Sequence, residues 1–314
     1  MVLGAATWAS AASYDYDGEW GSYGSGPGQF NYSRGVAVNP SGIVYVADGG
    51  NNRIQYFTFN GSFLGAWGKL GSGQGEFTQP RDVALADDGT VYVADTGNSR
   101  VQHFTSNGSF LRSWGAYGSG PGEFKYPEGI AVGPGERVYV TDRHGNRVEY
   151  FTCNGSFLGS WGSEGSGQGQ FSYPRGIAVS LSTARIYVSD TGNQRIQYFT
   201  TSGSFLGTWG SEGSGNGQFR DPYGVDVSAD GYVFVAGFQN HRIQCFTLAG
   251  SFLTKWGSQG TGKGEFNGPF GVGVTAGGAR VYVGDTRNHR VEYFKRNETF
   301  IGPGSLGKVK ALFR

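Results

Sequence analysis

Apolar residues fall along this chain in short runs of four to seven, separated by Gly, Asn, Asp or Pro. The set GVAV, VYVAD, RIQYF and SFLGAWG occupies residues 35–68, and close variants return in the same order to the end of the chain. Val, Ile, Tyr and Phe dominate these runs, a strand composition, and the punctuation between them suits hairpin turns. No apolar spacing of 3.6 residues is sustained, so no helix is expected. The first two runs of each unit barely alternate, as strands do when both faces are buried.

The repeat is regular. Trp20, Trp67, Trp114, Trp161, Trp209 and Trp256 each precede a Gly, at spacings of 47, 47, 47, 48 and 47 residues. A Gly/Ser-rich stretch then leads to Phe30, Phe77, Phe124, Phe171, Phe219 or Phe266. A turn follows, holding Pro80, Pro127, Pro174, Pro222 or Pro269, with Tyr32–Ser33 in the first unit. Four strands per unit at this period are the pattern of propeller blades. The expected fold is all-β: a six-bladed β-propeller with four antiparallel strands per blade. An open stack would leave apolar faces bare at both ends, so the ring must close. Residues 14–20 repeat the Phe63…Trp67 spacing as Tyr16…Trp20 and are predicted to supply the outer strand of the sixth blade. Residues 298–302 are the alternative, although Gly304 stands where a Trp is due. The domain reading is a small apolar tail or signal remnant at 1–13, a propeller over 14–302 and a C-terminal tail at 303–314.

Composition narrows the partners. Of 314 residues, 58 are Gly, 15% are aromatic and 16% are charged, too apolar and aromatic for a disordered chain. Lys and Arg number 25 against 24 Asp and Glu, so no global field draws in nucleic acid or anionic lipid. Cys153 and Cys245 form neither a disulfide framework nor a zinc-ligand spacing. No run of 18 apolar residues exists to span a membrane.

The series P-x-G-V-A-V, V-Y-V-A-D, D-x-x-N-x-R-I-Q-x-F and G-x-F-L-x-x-W-G resembles the NHL repeat, over residues 14–302. The resemblance implies the six-bladed propeller and leaves activity open, because one fold hosts many functions. NHL-like propellers serve as RNA-binding platforms, as protein-binding modules and as a zinc lyase acting on peptidyl-hydroxyglycine.

Asp48, Asp95, Asp142, Asp190 and Asp285 each stand five residues before an Arg, and read as structural pairs within a turn. In the fifth unit Gly237 breaks the pattern and leaves Arg242 without that partner, which marks a candidate specialised spot. The residue opening each first strand varies instead: Arg34, Arg81, Glu128, Arg175, Tyr223 and Phe270. In a propeller these six ring the channel mouth, and an asymmetric ring on a symmetric scaffold is the expected form of a ligand site. Guanidinium groups and aromatic rings suit an anionic, carbonyl-bearing or sugar ligand. His144, His241 and His289 sit at unequal places in turns, so the lyase's three converging histidines are not carried over. Asn60, Asn107 and Asn154 are Asn-Gly hairpin residues and glycosylation sequons at once, and Asn31 and Asn297 open two further sequons.

These features point to a non-catalytic binding scaffold, extracellular or at the cell surface with the cytoplasm left open. Its ligand would be a protein, peptide or carbohydrate held at the mouth. The chain would be a monomeric propeller or part of a larger one, with no cofactor beyond a channel cation. A metal-dependent lyase and a single-stranded RNA platform are the alternatives, the second disfavoured by the balanced charge.

Overall fold

The computed structural model describes residues 13–297. The 1–13 tail (apart from its last residue), the alternative closing segment 298–302 and the tail 303–314 lie outside them. The described residues form six four-stranded antiparallel sheets arranged as a ring. The first blade is Ser33–Val38, Val44–Asp48, Arg53–Phe57 and Phe63–Trp67, in that order from the axis outward. The next four repeat it, opening on Asp82–Leu85, Pro127–Gly133, Pro174–Ser180 and Pro222–Val227.

The sixth blade takes its inner three strands, Pro269–Val274, Arg280–Asp285 and Arg290–Arg296, from the end of the chain. Its outer strand is Tyr14–Trp20, antiparallel to Arg290–Arg296 from Tyr14 opposite Arg296 to Trp20 opposite Val291. Trp20 then packs on Phe57 of the first blade at 5.4 Å and on Tyr282 of the sixth at 6.1 Å.

Apolar cores lie between blades rather than within them. Tyr45, Ala47 and Ile54 of the first blade bury against Phe77, Val91 and Phe104 of the second. The Tyr hydroxyls clip neighbouring blades at the far end: Tyr45 donates to Ser106 O at 3.0 Å, and Tyr282 to Phe59 O at 3.0 Å. At the near end each turn Asp is buried, and Arg53 Nε donates to Asp48 Oδ2 at 2.8 Å. The same guanidinium donates to Ser25 O, Gly26 O and Gln29 O, which fastens the Gly-rich crossover loop. The repeated Asp–Arg pairs are thus fasteners: each Arg captures loop carbonyls, and in the first, second, fourth and sixth blades its Nε also donates to the Asp.

Candidate functional site

Five of the six inner strands converge on the axis at a glycine, and the second carries Asp82 at that place. A Cβ on Gly176 would lie 2.3 Å from Tyr223 O of the next blade, and one on Gly271 2.4 Å from Arg34 O. The residue just before that glycine is therefore pushed to the rim of the hole. Arg34, Arg81, Arg175, Tyr223 and Phe270 line one cavity of about 460 Å³ there. Glu128 sits a step deeper, in a constriction of about 20 Å³ shared with Asp82, Arg175 and Phe270. The structure thus brings the six sequence-predicted mouth residues together.

Tyr32, Gln239 and Thr286 also line the mouth, and three charged or aromatic side chains join them: Arg143, Phe238 and Arg287. These last three stand just after the second strand, inside the Asp–Arg turn. At the first of these turn positions the other blades carry Gly49, Thr96, Thr191 and Thr286, and three of those four are Thr with structural work. Thr96 Oγ1 donates to Pro127 O at 2.6 Å and Thr191 Oγ1 to Pro222 O at 2.7 Å, tying blade to blade. Arg143 and Phe238 thus depart from the Thr or Gly of this position, and Arg287 departs from the Gly50, Gly97 and Gly192 of the next. Gly237, the broken copy, adjoins Phe238. Asn240 Oδ1 there accepts the Arg220 N–H at 2.6 Å, taking the place of the missing Asp.

Glu128 is fully buried and organises the charge. Its Oε1 accepts from Arg81 Nη1 at 2.9 Å and from Arg175 Nη1 at 2.5 Å, while Arg143 Nε lies 3.6 Å from Oε2. Burial alone would raise its pKa, but Arg175, Arg81 and Arg143 outweigh burial and hold the carboxyl below its ordinary range. Arg34 lies against Gly49, where a larger residue would collide with its guanidinium. Burial, and then repulsion from Arg81, push Arg34 down to about 10.

The aromatic side of the mouth is a layered column. The Arg175 guanidinium lies 3.9 Å from the Tyr223 ring centroid, Tyr223 stacks on Phe238 at 4.3 Å, and Arg287 lies 4.7 Å from Phe238. Each cation is held over a ring face. Below the constriction the channel widens to about 230 Å³ lined mainly by Ala and Val. Two carboxylates missed in the sequence reading face it, Asp82 and Asp226. Asp82 Oδ2 accepts from Ile130 N at 3.0 Å and Asp226 Oδ2 from Val274 N at 2.7 Å, each bridging to the next blade. Burial raises both to about 7.

The model of the family described as "NHL repeat" matches residues 30–57, 77–104, 124–151 and 171–199. These are the same segments of the first four blades. The chain is an NHL-repeat six-bladed propeller. No curated protein matches it. Solved structures similar to this NHL propeller include a gluconolactonase from Xanthomonas campestris, at 13% identity and TM-score 0.65, covering 91% of this chain and 98% of that one. A streptogramin B lyase is similar at 13% identity and TM-score 0.60, over 91% and 97% of the two chains. A nidogen/laminin complex contributes a chain at 18% identity and TM-score 0.55, over 71% and 79%. At such identities the likeness is one of fold.

The NHL propeller's turn histidines are used locally. His241 Nδ1 accepts from Gly268 N at 3.2 Å and His289 Nδ1 from Tyr32 N at 3.1 Å. Burial holds both below the ordinary imidazole range, consistent with neutral acceptors. His144 stacks on Tyr126 at 4.6 Å. Among the described residues no three His, Cys, Asp or Glu side chains form a group that could hold a metal ion. Asn60, Asn107 and Asn154 are exposed on the hairpins at the end of the blades away from the mouth. Asn31 is partly buried beside Gly50, and Asn297 donates to Asp15. Cys245 is buried and its thiol is pushed up to about 12 by that burial, whereas Cys153 is partly exposed in a hairpin. Among the described residues no helix is long and apolar enough to cross a membrane.

Proposed function

We propose that this propeller is a non-catalytic binding module whose ligand, a protein, peptide or carbohydrate presenting negative charge, seats in the Arg-lined mouth. One observation carries the reading. The repeat holds through the cores and, apart from Gly237, the fasteners, yet at the mouth six different blades supply Arg, Arg, Glu, Arg, Tyr and Phe to one recess and the constriction at its floor. Selection for packing would not require that variety. The nidogen/laminin complex among the similar structures is a precedent for this fold in a protein assembly. The exposed far-face sequons favour a secreted or cell-surface protein, since glycans there would leave the mouth open.

The test is a variant with Arg34→Gln, Arg81→Gln, Arg175→Gln and Glu128→Gln together. Glu128 is included because losing Arg81 and Arg175 alone would strand a buried carboxylate. Against ligands captured on glycan and peptide arrays, affinity should fall by roughly a hundredfold or more while the melting transition stays cooperative. Undiminished affinity for those ligands would end the reading.

A further inference from the structure

We propose that the group held in the mouth is a compact polyanion: a small molecule, or the tip of a larger one, bearing two or more carboxylate, phosphate or sulfate groups. This rests on the mouth being the ligand site and adds what the site selects.

Five guanidinium groups surround the recess, from Arg34, Arg81, Arg143, Arg175 and Arg287. One carboxylate, Glu128, answers them, and Arg81, Arg175 and Arg143 already share it. Among the described residues the Arg34, Arg143 and Arg287 guanidinium groups donate no hydrogen bond. The buried Arg34 Nη1, Arg81 Nε and Arg175 Nε are without acceptors, and Arg175 is more than nine-tenths buried; Arg143 Nε faces Glu128 Oε2 at 3.6 Å, an acceptor likewise without a hydrogen bond, and Arg287 is exposed. A guanidinium carries five N–H donors in a rigid fork that fits oxyanions two at a time. Buried donors without acceptors are costly, and a ligand that supplies acceptors recovers that cost.

Placement sets the number of charges. Arg143 belongs to the third blade and lies over Tyr126 and Tyr173. Arg287 belongs to the sixth and lies over Phe238. Those blades face each other across a six-membered ring, and Arg34 comes from the first. A single carboxylate meets one side of such a recess, whereas two or three linked oxyanions meet several.

Shape and stacking decide the class of ligand. The floor is the constriction of about 20 Å³, so the recess is a dead end that admits a group end-on. Its 460 Å³ equals the volume of about fifteen water molecules, room for one acidic sugar or a tricarboxylate. Tyr223 is sandwiched by Arg175 and Phe238, and Phe238 by Tyr223 and Arg287, so neither ring offers a free face for a nucleobase. A strand of RNA, which binds by stacking bases along a groove, finds no groove in a recess closed at its floor, where the half-exposed Tyr32 is the open ring at the rim.

The experiment is calorimetric titration of the whole protein with acetate, succinate, citrate and inositol hexakisphosphate, with ionic strength held constant by sodium chloride. The expected result is one saturable site, with affinity rising at least tenfold from acetate to citrate. Arg143→Gln with Arg287→Gln should weaken citrate by at least tenfold and acetate by little. Lys255→Gln, a charge lost from the exposed outer strand of the fifth blade, should change neither. Citrate binding no tighter than acetate, or equally tight in the double variant, overturns the polyanion proposal. The array experiment then stands apart: ligands that still lose affinity in the quadruple variant preserve the mouth as a site, and ligands that do not remove both readings.

Discussion

Glu128 shows how one residue fixes the character of the mouth. Its carboxylate is held ionised by three guanidinium groups in a place where water is excluded. Glu128→Gln leaves those cations facing each other and should cost about 3 kcal/mol of stability at pH 7, read by urea denaturation. Because the folded pKa lies below the unfolded one, this contribution is complete above the ordinary carboxylate range and fades as pH falls through the folded value. The gap between variant and parent should therefore narrow toward pH 3, and a pH-independent gap would refute the assignment.

Glu149 and Glu292 behave oppositely, and the repeat supplies its own control. At this buried position other blades carry Gln, and Gln55 Nε2 donates to Gln29 O at 2.7 Å and Gln102 Nε2 to Glu76 O at 2.7 Å. A carboxylate cannot donate that bond, but a protonated acid can. Burial raises Glu149 to about 7 and Glu292 to about 8, against the pull of Arg147 and Arg290. A raised carboxyl pKa favours the folded state at low pH, and that gain is lost as pH climbs from about 4.3 to the folded value. Glu149→Gln with Glu292→Gln should add on the order of 1–3 kcal/mol at pH 8 and almost nothing at pH 4, where the acids already donate. In the third blade the change also lets Arg147 Nε, now 3.6 Å from Asp142, close to the 2.8 Å that Arg53 keeps from Asp48. Equal stability of parent and variant at pH 8 would contradict this account.

Among the elements, the hairpin joining the third and fourth strands of each blade shows why the sequence punctuation is so rigid. Gly108 has φ 90°, and a Cβ there would lie 2.5 Å from the Trp67 ring of the preceding blade. Gly108→Ala thus meets backbone strain and a collision with an aromatic wall, and should cost about 2 kcal/mol or more by thermal or chemical denaturation. A neutral result would mean that Trp67 can move aside. Strands, hairpins and blade count were legible in the sequence because each unit repeats both its apolar runs and its turn residues. The first tier of the mouth was legible for a related reason: Arg34, Arg81, Glu128, Arg175, Tyr223 and Phe270 vary at a fixed place next to invariant glycine or Asp82. The second tier was not. Arg143, Phe238 and Arg287 share a turn with the Asp–Arg fastener, whose role is structural in every blade that keeps it. The channel carboxylates Asp82 and Asp226 were hidden for another reason. Asp226 sits among apolar residues of its strand and Asp82 follows Arg81 at the start of its own, and only the convergence of strands shows that both face a lumen.

For the molecule as a whole, Tyr14–Trp20 joins the two ends of the described chain in one sheet. Trp20 covers Phe57, Tyr282 and Tyr293 at the seam between the sixth blade and the first. Trp20→Ala removes that cover and should lower the melting temperature by roughly 5 °C or more, since truncating this partly buried Trp costs about 2–3 kcal/mol. An unchanged transition in scanning calorimetry would place the seam's strength elsewhere. Along the axis a cationic mouth lies above a channel holding Asp82 and Asp226, in a chain of net charge +1. The central claim is that this cationic recess is where the molecule meets its ligand. A crystal structure of the protein soaked in citrate tests it most directly. An anion is expected inside the recess, with oxygens within hydrogen-bond distance of at least two of Arg34, Arg143, Arg175 and Arg287. Citrate bound elsewhere, with water alone between those guanidinium groups, would contradict it.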